Sequence, residues 1–148
     1  MTNSGAGGYA GDKSAIEAYD MLKKEKSAVL VDVRTKAEWE FVGVPDLSEI
    51  EKEPIFVEWQ EYPSMRVNPD FAERLLESIG RRGGGASSPV LFLCRSGARS
   101  RAAAIAMTTA GQSQCFNVAG GFEGGHDDRR RRGSRNGWKA SGLPWSQA

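Results

Sequence analysis

One short segment of the chain brings a cysteine, two arginines, a glycine and a serine together. Its sequence is Cys94-Arg95-Ser96-Gly97-Ala98-Arg99-Ser100, between the most apolar stretch and an alanine-rich one. A loop that enters a helix here can turn backbone N–H groups towards one point, and the helix N-terminus adds partial positive charge. With Arg95 and Arg99 nearby, each feature lowers the pKa of a thiol from its free value of about 8.5. The segment therefore predicts a nucleophilic thiolate at Cys94.

Such a pocket is suited to a small oxyanion, and two reactions fit it. The thiolate can attack a sulfane sulfur and become a persulfide, or it can attack phosphorus and become a thiophosphate. Four residues separate Cys94 from Arg99, whereas cysteine phosphatases need a loop one residue longer to surround a tetrahedral phosphate. The loop length favours sulfur transfer, with a phosphatase or arsenate reductase as the weaker alternative.

The elements that position this loop alternate between strand and helix patterns. Apolar runs predict strands at residues 28–33, 54–59, 90–93 and 115–118. Periodicity and capping signals predict helices over residues 15–22, after the Thr35–Glu38 capping box, over 71–79 after Asn68-Pro69, and over 100–110. This alternation predicts an α/β fold with a central, mainly parallel sheet flanked by helices. Cys94 ends one of the strands, and ligands of such sheets bind at the carboxyl ends of strands.

Three motifs in order resemble the rhodanese family of sulfurtransferases, in particular its single-domain bacterial members, over about residues 13–145. They are the loop Cys94–Arg99, the stretch Val31-Asp32-Val33-Arg34 followed by Glu38-Trp39, and the stretch Asn117-Val118-Ala119-Gly120-Gly121. Many members carry Gly-His-Ile-Pro-Gly-Ala where this chain has Gly43-Val44-Pro45-Asp46-Leu47-Ser48. The missing histidine is not the nucleophile, so this departure concerns the packing and rim of the pocket.

The resemblance implies a rhodanese-like three-layer domain and a double-displacement cycle. Cys94 takes the outer sulfur of thiosulfate or a related donor, sulfite leaves, and the persulfide passes its sulfur to cyanide or another thiol. The implied substrate-binding residues are Arg95, Ser96, Gly97, Ala98 and Arg99, with Arg95 and Arg99 holding the sulfonate. The cycle needs no metal or organic cofactor. The alternative is a non-catalytic module that carries sulfur or docks a sulfur-acceptor protein.

Other chemically capable residues have simpler structural interpretations. Asp32 and Arg34 are expected to form a buried ion pair that fixes the end of a strand, with a position facing the Cys94 loop as the alternative. Cys115 predicts a buried structural thiol, because its surroundings are strand-like and lack cations. Trp59 and Tyr62 are expected in the core or at the rim, with a wall of the pocket as the alternative.

Composition and length predict one domain that forms its own core. The chain has 148 residues, of which 39% are apolar and 18 are glycine, which is the usual globular range. We expect a disordered leader over residues 1–12 and a single domain over residues 13–148. A flexible, arginine-rich loop is expected over about residues 124–137.

Charge argues against nucleic acid as a general partner, because the net charge is only +1. The charge is unevenly distributed: residues 1–80 hold 9 basic and 16 acidic side chains, and residues 81–148 hold 11 and 3. The Cys94 loop lies in the positive half, which favours an anionic substrate. The run Arg129–Arg132 is interpreted as a solvated loop, with an acidic protein or RNA partner as the alternative.

The sequence predicts a cytoplasmic monomer without a membrane segment. No apolar run approaches the roughly 18 residues of a membrane span, and residues 1–12 lack the basic and apolar regions of a signal peptide. The two cysteines are therefore expected to be free thiols rather than a disulfide. His126, the single histidine, is interpreted as a loop residue, and it leaves zinc too few ligands.

Overall fold

The computed structural model describes residues 8–126, 128–132 and 136–147. The strands are β1 (Gly11–Lys13), β2 (Val29–Asp32), β3 (Val44–Pro45), β4 (Ile55–Phe56), β5 (Gln60–Glu61), β6 (Arg66–Val67), β7 (Val90–Leu93), β8 (Cys115–Val118) and β9 (Trp145–Ser146). The helices are α1 (Ala15–Lys24), α2 (Lys36–Phe41), α3 (Phe71–Arg81) and α4 (Ala98–Thr109), with a 3-10 helix at Ser48–Ile50.

The central sheet has five parallel strands in the order β1-β8-β7-β2-β4. Its register places Val31 of β2 beside Phe92 of β7, and Phe92 beside Asn117 of β8. Two small antiparallel pairs, β3 with β9 and β5 with β6, lie outside this sheet. The predicted α/β fold with a parallel sheet flanked by helices is confirmed.

The two faces of the sheet carry separate apolar cores. Val31 and Phe92 pack in one cluster with Leu75 of α3 and Met107 of α4. The second cluster contains Leu30, Leu91 and Leu93 together with Ala18 and Leu22 of α1. Alternate side chains of a strand point to opposite faces, which explains this division. Cys94, two residues beyond Phe92, joins the cluster on the side of α3 and α4.

The segment before α1 belongs to the sheet, so the prediction of a disordered leader is wrong for residues 8–12. β1 pairs with β8, and the Ala10 N–H donates to the Cys115 carbonyl at 2.8 Å. Tyr9 is buried against the core. A three-residue edge strand leaves almost no apolar periodicity in the sequence, which explains the error. Residues 1–7 lie outside the described residues.

Two predicted elements have different boundaries in the structure. The predicted strand over 54–59 is reduced to β4, although the Trp59 N–H still donates to the Val33 carbonyl at 3.0 Å. α3 begins at Phe71 after Asp70, because the Asn68 side chain accepts from the Asp70 N–H at 3.0 Å and forms a turn instead of an N-cap. This helix also continues through Gly80 to Arg81.

The predicted arginine-rich loop over about 124–137 is described only in part, since residues 127 and 133–135 lie outside the described residues. In the rest, the Arg132 guanidinium donates to the Gly124 carbonyl at 2.6 Å, and the Gly125 N–H donates to Asn136 Oδ1 at 2.9 Å. These bonds join the two ends of the loop.

None of the described helices is long and apolar enough to cross a membrane.

The predicted ion pair between Asp32 and Arg34 is confirmed at the end of β2. Both side chains are fully buried, with Arg34 Nε 2.9 Å from Asp32 Oδ1 and Arg34 Nη2 2.7 Å from Asp32 Oδ2. Arg34 also donates to the Gly43 carbonyl at 2.7 Å and lies over the Phe122 ring. The pair therefore ties the carboxyl end of β2 to Gly43 and to Phe122, whose N–H donates to the Cys94 carbonyl.

Candidate active site at the Cys94 loop

Cys94 lies at the carboxyl end of β7, where the chain turns into α4. The cysteine is 1% exposed, whereas Arg95, Ser96 and Ala98 of the same loop are exposed. The sulfur therefore forms the floor of a shallow site whose rim is the loop itself.

Two groups that can donate a hydrogen bond lie close to the Cys94 sulfur. The Gly97 N–H and the Ser100 hydroxyl each lie 3.1 Å from Sγ. Gly97 has a φ of 121°, a conformation that favours glycine, and it immediately precedes the first turn of α4. The loop thus presents the amino end of a 12-residue helix to the sulfur, where the helix dipole stabilises negative charge.

Further backbone donors in the loop are unused. Within the described part of the chain, the amides of residues 95, 96, 98 and 99 have no hydrogen-bond acceptor. Successive free N–H groups in a turn form an anion-binding nest. Of the predicted loop residues Arg95, Ser96, Gly97, Ala98 and Arg99, the structure places the Gly97 N–H against the Cys94 sulfur, while Arg95, Ser96 and Ala98 are exposed.

The loop is held from behind by residues 121–124. The Phe122 N–H donates to the Cys94 carbonyl at 2.7 Å, and the Arg95 carbonyl accepts from the N–H groups of Glu123 and Gly124 at 3.0 and 3.1 Å. A Cβ atom at Gly121 would lie 2.5 Å from the carbonyl oxygens of Cys94 and Arg95. Only glycine allows this approach, which gives a physical reason for the Gly120-Gly121 motif.

Arg99 is held in an ion pair by Glu38 of α2. Its Nη1 and Nη2 atoms lie 2.7 and 3.0 Å from the two carboxylate oxygens, and both side chains are mostly buried. Glu38 also closes the predicted capping box with Thr35, which is confirmed. Burial raises the pKa of the Glu38 carboxyl, but hydrogen bonds from Arg99 and Thr35 outweigh it and hold this pKa below its ordinary value. Sequence reasoning assigned Glu38 to capping alone and missed its contact with the loop.

Arg95 differs from Arg99. Its guanidinium is exposed and has no ion pair or hydrogen bond within the described residues. Of the two predicted sulfonate-binding arginines, Arg95 is therefore the one whose donors are available to a ligand.

A chain of polar side chains connects the site to β1. Ser100 Oγ lies 2.5 Å from Asn117 Oδ1, Asn117 Nδ2 lies 3.1 Å from Asp12 Oδ1, and the Tyr9 hydroxyl donates to Asp12 Oδ1 at 2.8 Å. Ser100 and Asn117 are buried. Sequence reasoning missed Asp12 because β1 carries too weak a pattern to be recognised.

The remaining candidates take structural positions. Cys115 is fully buried, and burial raises the pKa of its thiol to about 11, so its predicted structural role is confirmed. Trp59 packs edge-on against Phe71 at 5.1 Å between ring centroids. Tyr62 is exposed between β5 and β6, and His126 is also exposed.

The large groove on the surface lies at the other end of the sheet. Its volume is about 910 Å³, and it is bordered by the start of β2 and the 3-10 helix. Because parallel strands run the same way, this groove faces the amino ends of the strands, away from Cys94. The candidate chemistry does not use it.

The parallel sheet, the cysteine at its carboxyl edge and the following helix define a rhodanese-like α/β domain. The family described as the STR4 middle domain matches residues 10–148, and the chain belongs to that family. The predicted resemblance to rhodaneses is thus confirmed for the fold. The family whose model matches the sequence is the STR4 middle domain.

Two solved structures are similar to this chain in fold, and a curated relative is similar to it in sequence. The crystal structure of Rv0390 from M. tuberculosis is 46% identical, with a TM-score of 0.83, covering 95% of this chain and 99% of that one. A polysulfide-sulfur transferase homodimer from Wolinella succinogenes has 21% identity and a TM-score of 0.55, covering 92% of this chain and 77% of that one. An uncharacterized protein from Rickettsia conorii is 40% identical over 129 residues, covering 87% of this chain and 91% of its own length.

Substituting Glu38→Gln tests the ion pair that holds Arg99. We expect the free energy of unfolding at pH 7 to fall by about 1–2 kcal/mol, the range of hydrogen bonds to charged groups at a partly buried site. Because the folded protein lowers the pKa of Glu38, its contribution is complete above the ordinary value of 4.5 and is lost as pH falls through the lowered pKa. Urea unfolding of both proteins at pH 7 and pH 3.5 measures this.

The matched control is Glu40→Gln, which changes an exposed glutamate on the same helix. It should change stability by less than about 0.5 kcal/mol at either pH. The free energies of unfolding of Glu38→Gln and the parent protein should differ less at pH 3.5 than at pH 7. An equal difference at both pH values would contradict the assignment of an ion pair between Glu38 and Arg99.

Proposed function

We propose that the chain is a sulfurtransferase that moves sulfane sulfur from thiosulfate or a related anionic donor to cyanide or a thiol. A persulfide on Cys94 is the intermediate. The observation that carries this proposal is the Gly97 N–H at the start of α4, which lies 3.1 Å from Cys94 Sγ. An N–H donor at a helix N-terminus stabilises a sulfur anion, and the Cys94 anion is the nucleophile of the first half-reaction and the leaving group of the second.

The proposed cycle has two displacements. In the first, the Cys94 thiolate attacks the outer sulfur of thiosulfate; the new bond joins Cys94 Sγ to that sulfur, the S–S bond of thiosulfate breaks, and sulfite leaves with its electron pair. In the second, cyanide or a thiolate attacks the outer sulfur and releases the Cys94 thiolate. Both steps balance without a metal, a redox cofactor or an external proton.

The loop is suited to the persulfide as well as to the thiolate. An added sulfur lies about 2.05 Å from Sγ, which moves the negative charge outward from the floor towards the loop. The N–H groups of residues 95, 96, 98 and 99, which have no acceptor among the described residues, are available to donate hydrogen bonds to it. The same nest therefore serves the charge in both states of the cycle.

Arg95 is our candidate for the sulfonate of the donor, because its guanidinium is exposed beside the loop and unpaired within the described residues. The charge of Arg99 is balanced by the Glu38 carboxylate, so Arg99 mainly holds the start of α4 against α2. The polysulfide-sulfur transferase from Wolinella succinogenes supports the class of chemistry. At its level of identity, it supports the fold more than any particular substrate.

The second candidate function is a sulfur carrier that exchanges its persulfide with a protein partner. It is favoured by the 1% exposure of Cys94 and by the exposed apolar side chains of Tyr62, Met65 and Val67 around the β5–β6 hairpin. A carrier forms the persulfide but turns over slowly with small acceptors. Steady-state assays with cyanide and with small thiols separate the two functions.

Persulfide formation is tested by incubating the purified protein with thiosulfate and recording its intact mass. We expect a gain of one sulfur atom, absent in Cys94→Ser, because the reaction needs the Cys94 thiolate. The matched control is Cys115→Ala, which should gain the same mass since Cys115 is buried with a raised pKa. Loading that survives in Cys94→Ser, or no loading of the parent protein by thiosulfate or polysulfide, would contradict the proposal.

Donor binding is tested with Arg95→Gln. We expect the second-order rate of loading by thiosulfate to fall about 5- to 10-fold at low ionic strength, and less in 0.5 M salt, because salt screens an exposed charge. The control Arg74→Gln removes an exposed arginine from α3 and should change the rate by less than about twofold. If both substitutions slowed loading equally, the overall positive charge of the protein, and not a contact with Arg95, would explain the rate.

A further inference from the structure

The Ser100 hydroxyl has more acceptors than protons. It carries one hydrogen, and three acceptors surround it: Cys94 Sγ at 3.1 Å, Asn117 Oδ1 at 2.5 Å and the Gly97 carbonyl at 3.2 Å. Ser100 and Asn117 are buried, so bulk water does not relieve the competition. The direction of this one O–H bond therefore matters for the charge on the sulfur.

Asp12 fixes which atom of Asn117 faces Ser100. Asn117 Nδ2 lies 3.1 Å from Asp12 Oδ1, and a carboxylate attracts the amide NH2 group and repels the amide oxygen. The Asn117 oxygen is consequently directed to Ser100, where it accepts the hydroxyl proton. Tyr9 donates to the same Asp12 oxygen at 2.8 Å and holds the carboxylate in place.

This arrangement has opposite effects on the two forms of Cys94. A neutral thiol can donate to Ser100 Oγ while Ser100 donates to Asn117, so every proton has an acceptor. A thiolate needs the Ser100 proton for itself, and Ser100 can give it only by releasing Asn117 Oδ1. The network therefore disfavours the free thiolate relative to a site in which Asn117 does not accept from Ser100.

We propose that Asn117, oriented by Asp12 of β1, is a positioning residue that directs the Ser100 hydroxyl and thereby limits ionisation of Cys94. The inference rests on the proposed function only in taking Cys94 as the reacting sulfur. A persulfide carries its charge on the outer sulfur, which leaves Ser100 free to donate to Asn117 again. The network thus favours the loaded state over the free thiolate and assigns a role to the N-terminal strand.

Other charges also act on Cys94, and the test must separate them from the network. They are Arg95 in the loop, Arg99 and Arg101 of α4, Glu38 of α2, Asp32 and Arg34 at the end of β2, and Asp12 of β1. The face of α3 near the site is apolar, with Phe71 and Leu75 in the same cluster as Cys94. Removing the Asp12 charge changes the field as well as the hydrogen bonds, so a single substitution does not suffice.

A double-mutant cycle on thiol alkylation makes the separation. Asp12→Asn keeps the size of the side chain and lets the Asn117 amide turn over, so that Nδ2 donates to Ser100 Oγ and the hydroxyl proton is free for Cys94. We expect iodoacetamide to alkylate Cys94 about 3- to 10-fold faster at neutral pH, because the thiolate is the form that reacts. In a Ser100→Ala background, Asp12→Asn should change the rate by less than about twofold.

Two further variants distinguish the hydrogen-bond network from the loss of a negative charge. Asn117→Leu removes the competing acceptor and should also speed alkylation, whereas Asp20→Asn, which removes an exposed carboxylate from α1, should not. Equal acceleration by Asp12→Asn with and without Ser100 would mean that the carboxylate acts through its field, and would overturn the inference. No acceleration in the Ser100-containing protein would overturn it as well.

Alkylation is independent of sulfur transfer, so the two proposals fail separately. If thiosulfate and polysulfide do not load the protein while the double-mutant cycle shows coupling, the proposed function is wrong and the positioning role stands. If loading occurs at Cys94 but the cycle shows no coupling, the function stands and the positioning role is wrong.

Discussion

The proposed chemistry depends on how the peptide groups of one loop are turned. The carbonyls of Cys94 and Arg95 accept three N–H groups from residues 122–124, and this fixes the outer side of the loop. The Gly97 N–H then lies on the sulfur, and the amides of residues 95, 96, 98 and 99 have no acceptor in the part of the chain that the structure describes. Gly121 is part of the same constraint, because any side chain there would strike both carbonyls. A cysteine, a helix N-terminus and a distant glycine turn thus form one unit.

The two cysteines occupy contrasting environments within one fold. Cys94 follows β7 at the carboxyl edge of the sheet, beside donors and Arg99. Cys115 begins β8 at the opposite edge, where burial raises the pKa of its thiol to about 11. The strands are neighbours in the sheet, yet only one cysteine lies at the edge where helix N-termini and loop amides are found. Ionic pairs around the first site, Asp32 with Arg34 and Glu38 with Arg99, neutralise charge and hold geometry.

Much of the fold could be predicted because its signals are local. The continuous apolar runs of β2 and β7 and the Thr35–Glu38 capping box depend on neighbouring residues alone. The Cys94 loop could be found for the same reason, since glycine, arginines and helix formers follow the cysteine directly. β1 could not be predicted, because a three-residue edge strand depends on pairing with a distant strand. The start of α3 could not be predicted either, because the turn at Asn68 depends on a side-chain hydrogen bond that apolar periodicity does not record. The Glu38–Arg99 pair and the Asn117–Asp12 contact join residues 61 and 105 positions apart.

The most direct test of the account is a high-resolution structure of the protein after treatment with thiosulfate. The account predicts one additional sulfur about 2.05 Å from Cys94 Sγ, inside the loop and within hydrogen-bond distance of amides between residues 95 and 99. An unmodified Cys94 in protein that has turned over donor, or an added sulfur pointing away from these amides, would contradict the central claim that the loop holds the transferred sulfur.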